Sequence, residues 1–169
     1  TTGLPADVVG HLTCHGAEAG PGEVVISKTN QDCGCFFWPL RDDPEKAFFG
    51  VYDGHGDLGH HTSNFCMRRV AESIAADPRG LTDPGPALER AFLHADRTLS
   101  EQHPDWAGEG GTTATTALML GRKIWLANCG DSRMVVAKRS GSSGRLTATN
   151  LTVDHTAARK EERARVLAA

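Results

Sequence analysis

An apolar run at residues 48 to 52 leads directly into the tetrapeptide Asp-Gly-His-Gly at positions 53 to 56. The end of a central strand holds a side chain rigidly, so Asp53 there would be an oxygen ligand for a hard divalent cation such as Mg²⁺ or Mn²⁺. The next residue, Gly54, leaves its carbonyl approachable, and His55 could protonate a departing alkoxide. Asp-Gly-His-Gly is also a good tight turn, so the tetrapeptide alone leaves a metal site and a simple turn as equal alternatives.

The elements that must position these residues follow from hydrophobic periodicity. Apolar and β-branched runs bounded by turn residues predict strands, and apolar residues three or four apart predict helices. Strands are expected at 23–27, 35–38, 47–52, 112–120, 124–129 and 132–138, extended chain at 146–152, helices at 58–76, 86–102 and 157–169, and a closing loop at 104–111. The turns Gly-Arg-Lys and Gly-Asp between the last three strands are short enough to demand antiparallel neighbours, which predicts a β-meander.

The order of strands, two helices and strands again is typical of an α+β fold with helices layered on an antiparallel sheet. One domain is the default for 169 residues with 39% hydrophobic content. The charges sum to -3 and form no basic stripe, so no nucleic-acid partner is expected. No apolar run approaches the length of a membrane span, and the N-terminus lacks a signal-peptide pattern. We therefore expect no membrane partner and an intracellular protein, cytoplasmic or nuclear.

The five cysteines form no C-x-x-C pair, so neither a disulfide framework nor a zinc knuckle is indicated. Cys66 and Cys129 stand in apolar surroundings and are expected to be small core residues. Nothing in the sequence indicates an oligomer, so a monomer is expected.

Four further segments accompany the run at 48–57: "KTNQD" at 28–32, "GGTTATTALML" at 110–120, "ANCGDSRMVV" at 127–136 and "LTVDHTAARKEERARV" at 151–166. In this order and at these separations, the five segments resemble the metal-dependent protein Ser/Thr phosphatases, the type 2C or PPM family. The resemblance extends over nearly the whole chain after residue 23. It implies an antiparallel β-sandwich flanked by layers of antiparallel helices. Residues 1–169 would then be a single, partial catalytic domain, truncated before its C-terminal part.

The resemblance also implies roles for individual residues. Asp53 resembles the aspartate that bridges two Mg²⁺ or Mn²⁺ ions, Gly54 the residue whose carbonyl binds one of them, and His55 the proposed general acid. Asp32 is similar to an acidic residue that supports the metal cluster through water. Asp131 is similar to one that helps to hold a third, weaker ion in some members. Gly-Asp between two strands is also a good hairpin turn, which is the stronger alternative for Asp131.

Three features depart from the family pattern. Ser27 stands where members usually have a phosphate-binding arginine, and Lys28 follows one position later. Because lysine is a point charge without the planar fork of arginine, Lys28 is a weaker candidate phosphate ligand. Gln31 stands where many members have Glu. The two further metal-binding aspartates of the family, in "DG" and "GDN" motifs beyond the last helix, are not among the 169 residues.

Several polar residues receive no catalytic role from the sequence. Thr112 and Thr113 are expected to stabilise the start of a strand. Asp154 and His155 resemble the Asp-His pair of the family and are expected to be structural. Four histidines on predicted helices or at their ends are expected to be solvated: His60, His61, His94 and His103.

The implied function is hydrolysis of phosphoserine and phosphothreonine in a phosphoprotein substrate by a metal-activated water, with two Mg²⁺ or Mn²⁺ ions and a third in some members. The alternative is a catalytically inactive phosphatase-like domain for protein binding or regulation, which Ser27, Gln31 and the missing aspartates favour. A nuclease-like metal hydrolase is a remote third option, because a nuclease requires more basic surface than this composition offers.

Overall fold

The computed structural model describes residues 9–141 and 144–168, in which every strand ladder is antiparallel. The strands are β1 Ala17–Ala19, β2 Val25–Ser27, β3 Cys33–Phe37, β4 Lys46–Tyr52, β5 Gly54–Gly56, β6 Gly110–Thr112, β7 Ala114–Leu120, β8 Lys123–Cys129, β9 Val135–Arg139 and β10 Leu146–Asn150. The helices are α1 Gly59–Ala76, α2 Pro84–Gln102, α3 Pro104–Glu109 and α4 Lys160–Ala168. None of the helices in these ranges is long and apolar enough to cross a membrane.

Four strands form the central sheet, in the order β3-β4-β7-β8. The apolar run before Asp53 is β4, which lies inside the sheet between β3 and β7. Strands β7 and β8 pair through a short turn, with Leu120 opposite Lys123, which confirms the hairpin predicted there. Alternate residues of a strand face opposite sides of a sheet, and on one side of β4 the side chains of Phe48 and Tyr52 are fully buried.

Helices α1 and α2 pack together on that side of the sheet and complete the core with Phe48, Tyr52 and Leu118. The predicted helical stripes are confirmed, because the buried residues recur three or four apart: Thr62, Cys66, Val70 and Ile74 on α1, and Ala87, Ala91, Ala95 and Leu99 on α2. The chain therefore has the predicted α+β class, with helices layered on antiparallel strands.

The opposite side of the sheet carries apolar side chains that remain exposed. Val51 on β4 and Ile124 on β8 are 57% and 58% exposed. Two more ladders, β1 with β2 and β9 with β10, pair outside the central sheet. The sheet is thus covered by helices on one side and offers a partly apolar surface on the other.

The predicted three-stranded meander is wrong in its third strand. The strand after β8 begins only at Val135 and pairs with β10 instead of β8. Gly130 adopts a φ of 97°, and the Asn128 side-chain amide donates to the Gly130 carbonyl at 3.2 Å. The chain leaves the sheet after Cys129, because the Gly130 carbonyl accepts a hydrogen bond within this local turn and is not available to a hairpin ladder.

Two smaller expectations are also wrong. The segment predicted as a closing loop forms the short helix α3 over residues 104 to 109, which Pro104 can begin because the first helical turn needs no amide donor there. Cys129 is exposed because it ends β8, the edge strand of the sheet, whereas Cys66 is buried as expected.

The loop between β3 and β4 is tied to the end of α1 by Arg41. The Arg41 guanidinium donates hydrogen bonds to the carbonyls of Ile74 at 3.1 Å and Ala75 at 3.2 Å. The last carbonyls of a helix have no partners within the helix, so a cationic donor there satisfies them and complements the helix dipole. This loop and α1 are therefore held together by one side chain.

Replacing this donor should destabilise the fold. Arg41→Ala is expected to lower the free energy of unfolding by about 1–2 kcal/mol, because the helix carbonyls lose a charged donor. Arg41 has a φ of 54°, and alanine keeps the Cβ, so the backbone strain is the same in both proteins. Urea denaturation followed by circular dichroism measures the change.

The matched control is Arg97→Ala, which removes an exposed ion pair with Glu101 on α2. Its effect should stay below about 0.5 kcal/mol. Equal losses in the two variants would contradict a capping role for Arg41.

Candidate active site

Asp53 stands at the end of β4, where hydrogen bonds with Thr113 hold its backbone. The Asp53 amide donates to Thr113 Oγ1 at 3.0 Å, and the Thr113 amide donates to the Asp53 carbonyl at 2.9 Å. Thr113 Oγ1 also lies 2.6 Å from Ser132 Oγ. The backbone of Asp53 is thus fixed while its carboxylate stays accessible to solvent.

The tetrapeptide at 53–56 continues as a short strand and does not reverse the chain. Strand β5 pairs with β6, with Gly54 opposite Thr112 and Gly56 opposite Gly110. Gly56 has a φ of 79°, a conformation that other residues rarely adopt. This pairing carries the chain from Asp53 towards the start of α1.

Gly54 makes a contact that no other residue type allows. A Cβ at this position would lie 2.4 Å from the Gly59 carbonyl oxygen and 2.5 Å from the Gln31 carbonyl oxygen. The Gly54 amide donates to the Gln31 carbonyl at 3.2 Å, and Ser63 Oγ donates to the same carbonyl at 2.6 Å. Three segments therefore meet behind the strand end, and Asp32 is placed beside Asp53.

Two neighbouring carboxylates act on that of Asp53. Partial burial raises the pKa of Asp53, and repulsion from Asp32 and Asp131 raises it further, while His55 acts in the opposite direction. A like charge disfavours the ionised form of a neighbouring carboxyl, and a cation reverses that effect. The cluster is therefore electrostatically suited to a bound cation.

A cavity of about 380 Å³ opens in front of Asp53 and is also lined by His55, Asp131 and His155. Asp131 reaches it because the chain leaves the sheet at Gly130, so the hairpin turn considered for Asp131 is not formed. The structure thus brings together Asp53, His55 and Asp131, three of the residues named from the sequence.

His155 lines the same cavity, although only a structural role was expected for it. The Gly130 amide donates to His155 Nδ1 at 3.3 Å, and the His155 amide donates to the Gly130 carbonyl at 2.9 Å. This reciprocal pair holds the turn that carries Asp131. The Asp-His motif at 154–155 was the sequence feature that could have indicated this position. Only the tertiary structure shows that His155, and not Asp154, lines the cavity.

The other half of that motif, Asp154, is occupied by an ion pair. Arg133 Nε donates to Asp154 Oδ1 at 3.0 Å, and the second nitrogen of the guanidinium contacts the other carboxylate oxygen. The bidentate contact with Arg133 lowers the pKa of Asp154. Asp154 therefore supports the segment while its neighbour His155 faces the cavity.

Lys28, the candidate phosphate ligand, does not reach the cavity. Its ammonium nitrogen lies 3.7 Å from a carboxylate oxygen of Glu18, and both side chains are exposed. Within the described ranges, the residues that line the Asp53 cavity include neither lysine nor arginine. The structure therefore does not bring Lys28 together with Asp53.

The donor set fits a hard divalent cation in kind but is incomplete in number. Carboxylates of Asp53, Asp32 and Asp131 and the Gly54 carbonyl are the oxygen donors that Mg²⁺ and Mn²⁺ favour. Across residues 9–141 and 144–168, however, no three His, Cys, Asp or Glu side chains come close enough together to hold an ion. Further ligands would have to be water or groups outside these residues.

The relatives of the chain identify its family. Residues 21–169 match the model of the family described as Protein phosphatase 2C. The chain belongs to this family. The phosphatase 2C chain is 44% identical over 141 residues to Probable protein phosphatase 2C 35 of Arabidopsis thaliana, which covers 83% of this chain and 40% of that protein. It is 36% identical over 131 residues to Protein phosphatase 2C homolog 2 of Schizosaccharomyces pombe, covering 75% and 33%.

Solved structures share the fold of this phosphatase 2C chain. A serine-threonine phosphatase 2C from Toxoplasma gondii gives a TM-score of 0.68 at 20% identity, over 91% of this chain and 53% of that one. The PPM Ser-Thr phosphatase of Mycobacterium smegmatis, in complex with cacodylate, gives 0.58 at 23% identity, over 92% and 60%. The chain thus spans less than half the length of the two curated relatives and somewhat more than half of these two structures.

Filling the contact at Gly54 should disrupt this region. Gly54→Ala is expected to lower the free energy of unfolding by about 2–4 kcal/mol, because the methyl group meets two backbone carbonyls that cannot move independently. Urea denaturation checks the value. Gly108→Ala is the matched control, since a Cβ there meets nothing within 4 Å and alanine favours a helix. A tolerated alanine at position 54 would contradict the close contact.

The raised pKa of Asp53 predicts a pH-dependent stability. The folded chain binds this proton more tightly than the unfolded chain, so without divalent cations stability should fall as the pH rises above the ordinary value of 3.8. Asp53→Asn removes the charge, and the variant should be more stable than the parent at pH 7 but not at pH 3. Urea denaturation with a chelator at both pH values measures this.

The exposed neighbour Asp57 provides the control for this experiment, because it is not among the groups that act on Asp53. Asp57→Asn should lack the gain at pH 7. A loss of stability in Asp53→Asn at pH 7 would show that the carboxylate is not repelled in the folded chain.

Proposed function

We propose that the chain is part of the single catalytic domain of a Mg²⁺- or Mn²⁺-dependent phosphatase that hydrolyses phosphoserine and phosphothreonine in phosphoproteins. The observation that carries this proposal is the position of Asp53 at a strand end, repelled by Asp32 and Asp131 and facing a cavity with His55. Membership of the phosphatase 2C family supports it.

The metal ions would be held by residues at and around the end of β4, together with further ligands. Asp53 and the Gly54 carbonyl are the proposed direct ligands, Asp32 the support through water, and Asp131 the ligand of a third ion. When bound, such ions supply Lewis-acid activation of water and neutralise the charge on the phosphoryl group. Binding should also relieve the carboxylate repulsion, so metal affinity and folding stability are coupled at Asp53.

His55 is the proposed proton donor. It lies opposite Gly111 in the β5–β6 ladder, and a Cβ on Gly111 would be 2.4 Å from His55 Nε2. The absence of a side chain at 111 thus leaves room for the imidazole against β6, at the wall of the cavity. From this position the ring would donate a proton to the serine or threonine oxygen as it leaves phosphorus.

A second candidate function is protein binding by a catalytically inactive domain. It is favoured by Ser27 and Gln31 at positions where the family usually has Arg and often Glu. The engagement of Lys28 with Glu18 also favours it, because no cationic side chain then replaces the arginine at the cavity. The two functions differ in whether bound metal leads to turnover.

Metal titration with parallel turnover separates the two functions. Mn²⁺ binding measured by calorimetry should be at least about tenfold weaker in Asp53→Asn than in the parent chain, a difference of about 1.4 kcal/mol. Hydrolysis of a phosphoserine peptide, if this chain is active alone, should fall far more in Asp53→Asn than in His55→Ala, because charge neutralisation dominates phosphoryl transfer.

Glu89→Gln, an exposed change on α2, is the control and should bind Mn²⁺ like the parent. Binding that depends on Asp53 but gives no turnover in the parent chain favours the binding domain or a requirement for further ligands. Equal Mn²⁺ affinity in the parent and Asp53→Asn would refute the assignment of Asp53.

A further inference from the structure

A second cavity, of about 480 Å³, is lined by Asp32, which also belongs to the carboxylate cluster around Asp53. Its walls are the loop at 30–33, one side of α1, and the junction of α2 with α3. Three of the histidines that received no role from the sequence line it: His60, His61 and His103. Their presence in one cavity is a result of the tertiary structure.

The α1 wall of this cavity is a stripe of hydrogen-bond donors. His60 and His61 are followed by Asn64 and then by Arg68, all of which line the cavity. Residues three and four positions apart share one face of a helix, so the imidazoles, the amide and the guanidinium follow one another along the same side. The stripe begins beside Asp32 and ends at a cation.

Arg68 is not engaged elsewhere, in contrast to its neighbour Arg69. Arg69 is bound to Glu72 at 3.2 Å and to Gln102 at 3.3 Å. Within the part of the chain that the structure describes, Arg68 has neither an ion pair nor a hydrogen bond, and the buried His60 Nδ1 has no hydrogen-bond partner. Arg68 is exposed, so its guanidinium is available to a ligand with acceptor atoms.

An aromatic stack forms a wall between α1 and the α2–α3 junction. The Trp106 ring stacks with the rings of His61 and His103, with centroid distances of 4.8 Å and 3.8 Å and interplanar angles of 14° and 7°. This stacking orients the planes of both imidazoles. A wall ordered in advance loses little entropy when a ligand binds.

The chemistry of these donors selects an anion. Guanidinium and imidazole N–H groups form charge-assisted hydrogen bonds to carboxylates and phosphates. Among the described residues that line this cavity, Asp32 is the acidic one, and it belongs to the cluster around Asp53. For an anionic side chain of a peptide bound at Asp53, Arg68 at the far end of the α1 stripe is therefore the available guanidinium.

We propose that this second cavity is a substrate subsite that binds an anionic side chain next to the phosphorylated residue. That side chain is an aspartate, a glutamate or a second phosphorylated residue, and Arg68 is the main determinant of the preference. The inference rests on the proposed phosphatase function, because the subsite takes its position from the shared Asp32.

Fluorescent phosphoserine peptides that differ only in their flanking residues test the subsite by anisotropy. An aspartate-flanked peptide should bind the parent chain roughly tenfold more tightly than a lysine-flanked one, as expected for one charged hydrogen-bonded contact. Arg68→Ala should abolish this ratio, and Arg122→Ala, an exposed arginine in the β7–β8 turn, should preserve it. A doubly phosphorylated peptide distinguishes the sources: preference for it alone identifies a second phosphate as the ligand.

A preference unchanged by Arg68→Ala, or equal binding of the aspartate-flanked, lysine-flanked and doubly phosphorylated peptides, would overturn the subsite while peptide binding still supports the phosphatase. A phosphate-free aspartate peptide separates the proposals further. It should shift the NMR signals of His60, His61 and His103 in the parent chain and not in Arg68→Ala. Such shifts in a chain whose Mn²⁺ affinity is unchanged by Asp53→Asn would support the anion site and count against the phosphatase, whereas neither shifts nor peptide binding would overturn the subsite.

Discussion

The direct backbone contact at Gly54 is the constraint on which the rest of the structure depends. The loop that carries Asp32, the end of the central strand and the start of α1 come together there because position 54 has no side chain. Ser63 on α1 and the Gly54 amide share the Gln31 carbonyl, so the three segments cannot shift independently. The carboxylate cluster around Asp53 is thus a result of how these three segments pack.

This packing places the Asp53 carboxylate where Asp32 and Asp131 repel it. Partial burial raises the pKa of Asp53, and repulsion from Asp32 and Asp131 raises it further. The surrounding hydrogen bonds hold the backbone in place against this repulsion, through Thr113 on one side and the reciprocal contact of Gly130 with His155 on the other. An arrangement that is unfavourable without a cation is the electrostatic counterpart of a metal site.

The two cavities differ in their chemistry, and Asp32 connects them because it lines the one beside α1 and acts on the pKa of Asp53 in the other. The one at Asp53 has carboxylates and two histidines but neither lysine nor arginine among its described residues, and the one beside α1 has an unengaged arginine and a stacked wall of imidazoles. The carboxylates of Asp53 and Asp131 thus belong to one cavity and the guanidinium of Arg68 to the other. Such a sequence of charges suits an extended substrate with more than one polar group, because each group meets its complement.

Local patterns in the sequence were sufficient for much of the fold and for part of the site. Periodicity predicted α1, α2, β4 and the β7–β8 hairpin, because each element buries one regular face. The motif resemblance identified Asp53, His55 and Asp131, and the structure brings these to one cavity. Only the tertiary structure decided that the chain leaves the sheet at Gly130, that His155 joins the cavity, and that Lys28 does not. The tertiary structure also brings His60, His61 and His103 to one cavity. Contacts between residues distant in sequence depend on how whole elements pack, so they leave no periodic pattern in the local sequence.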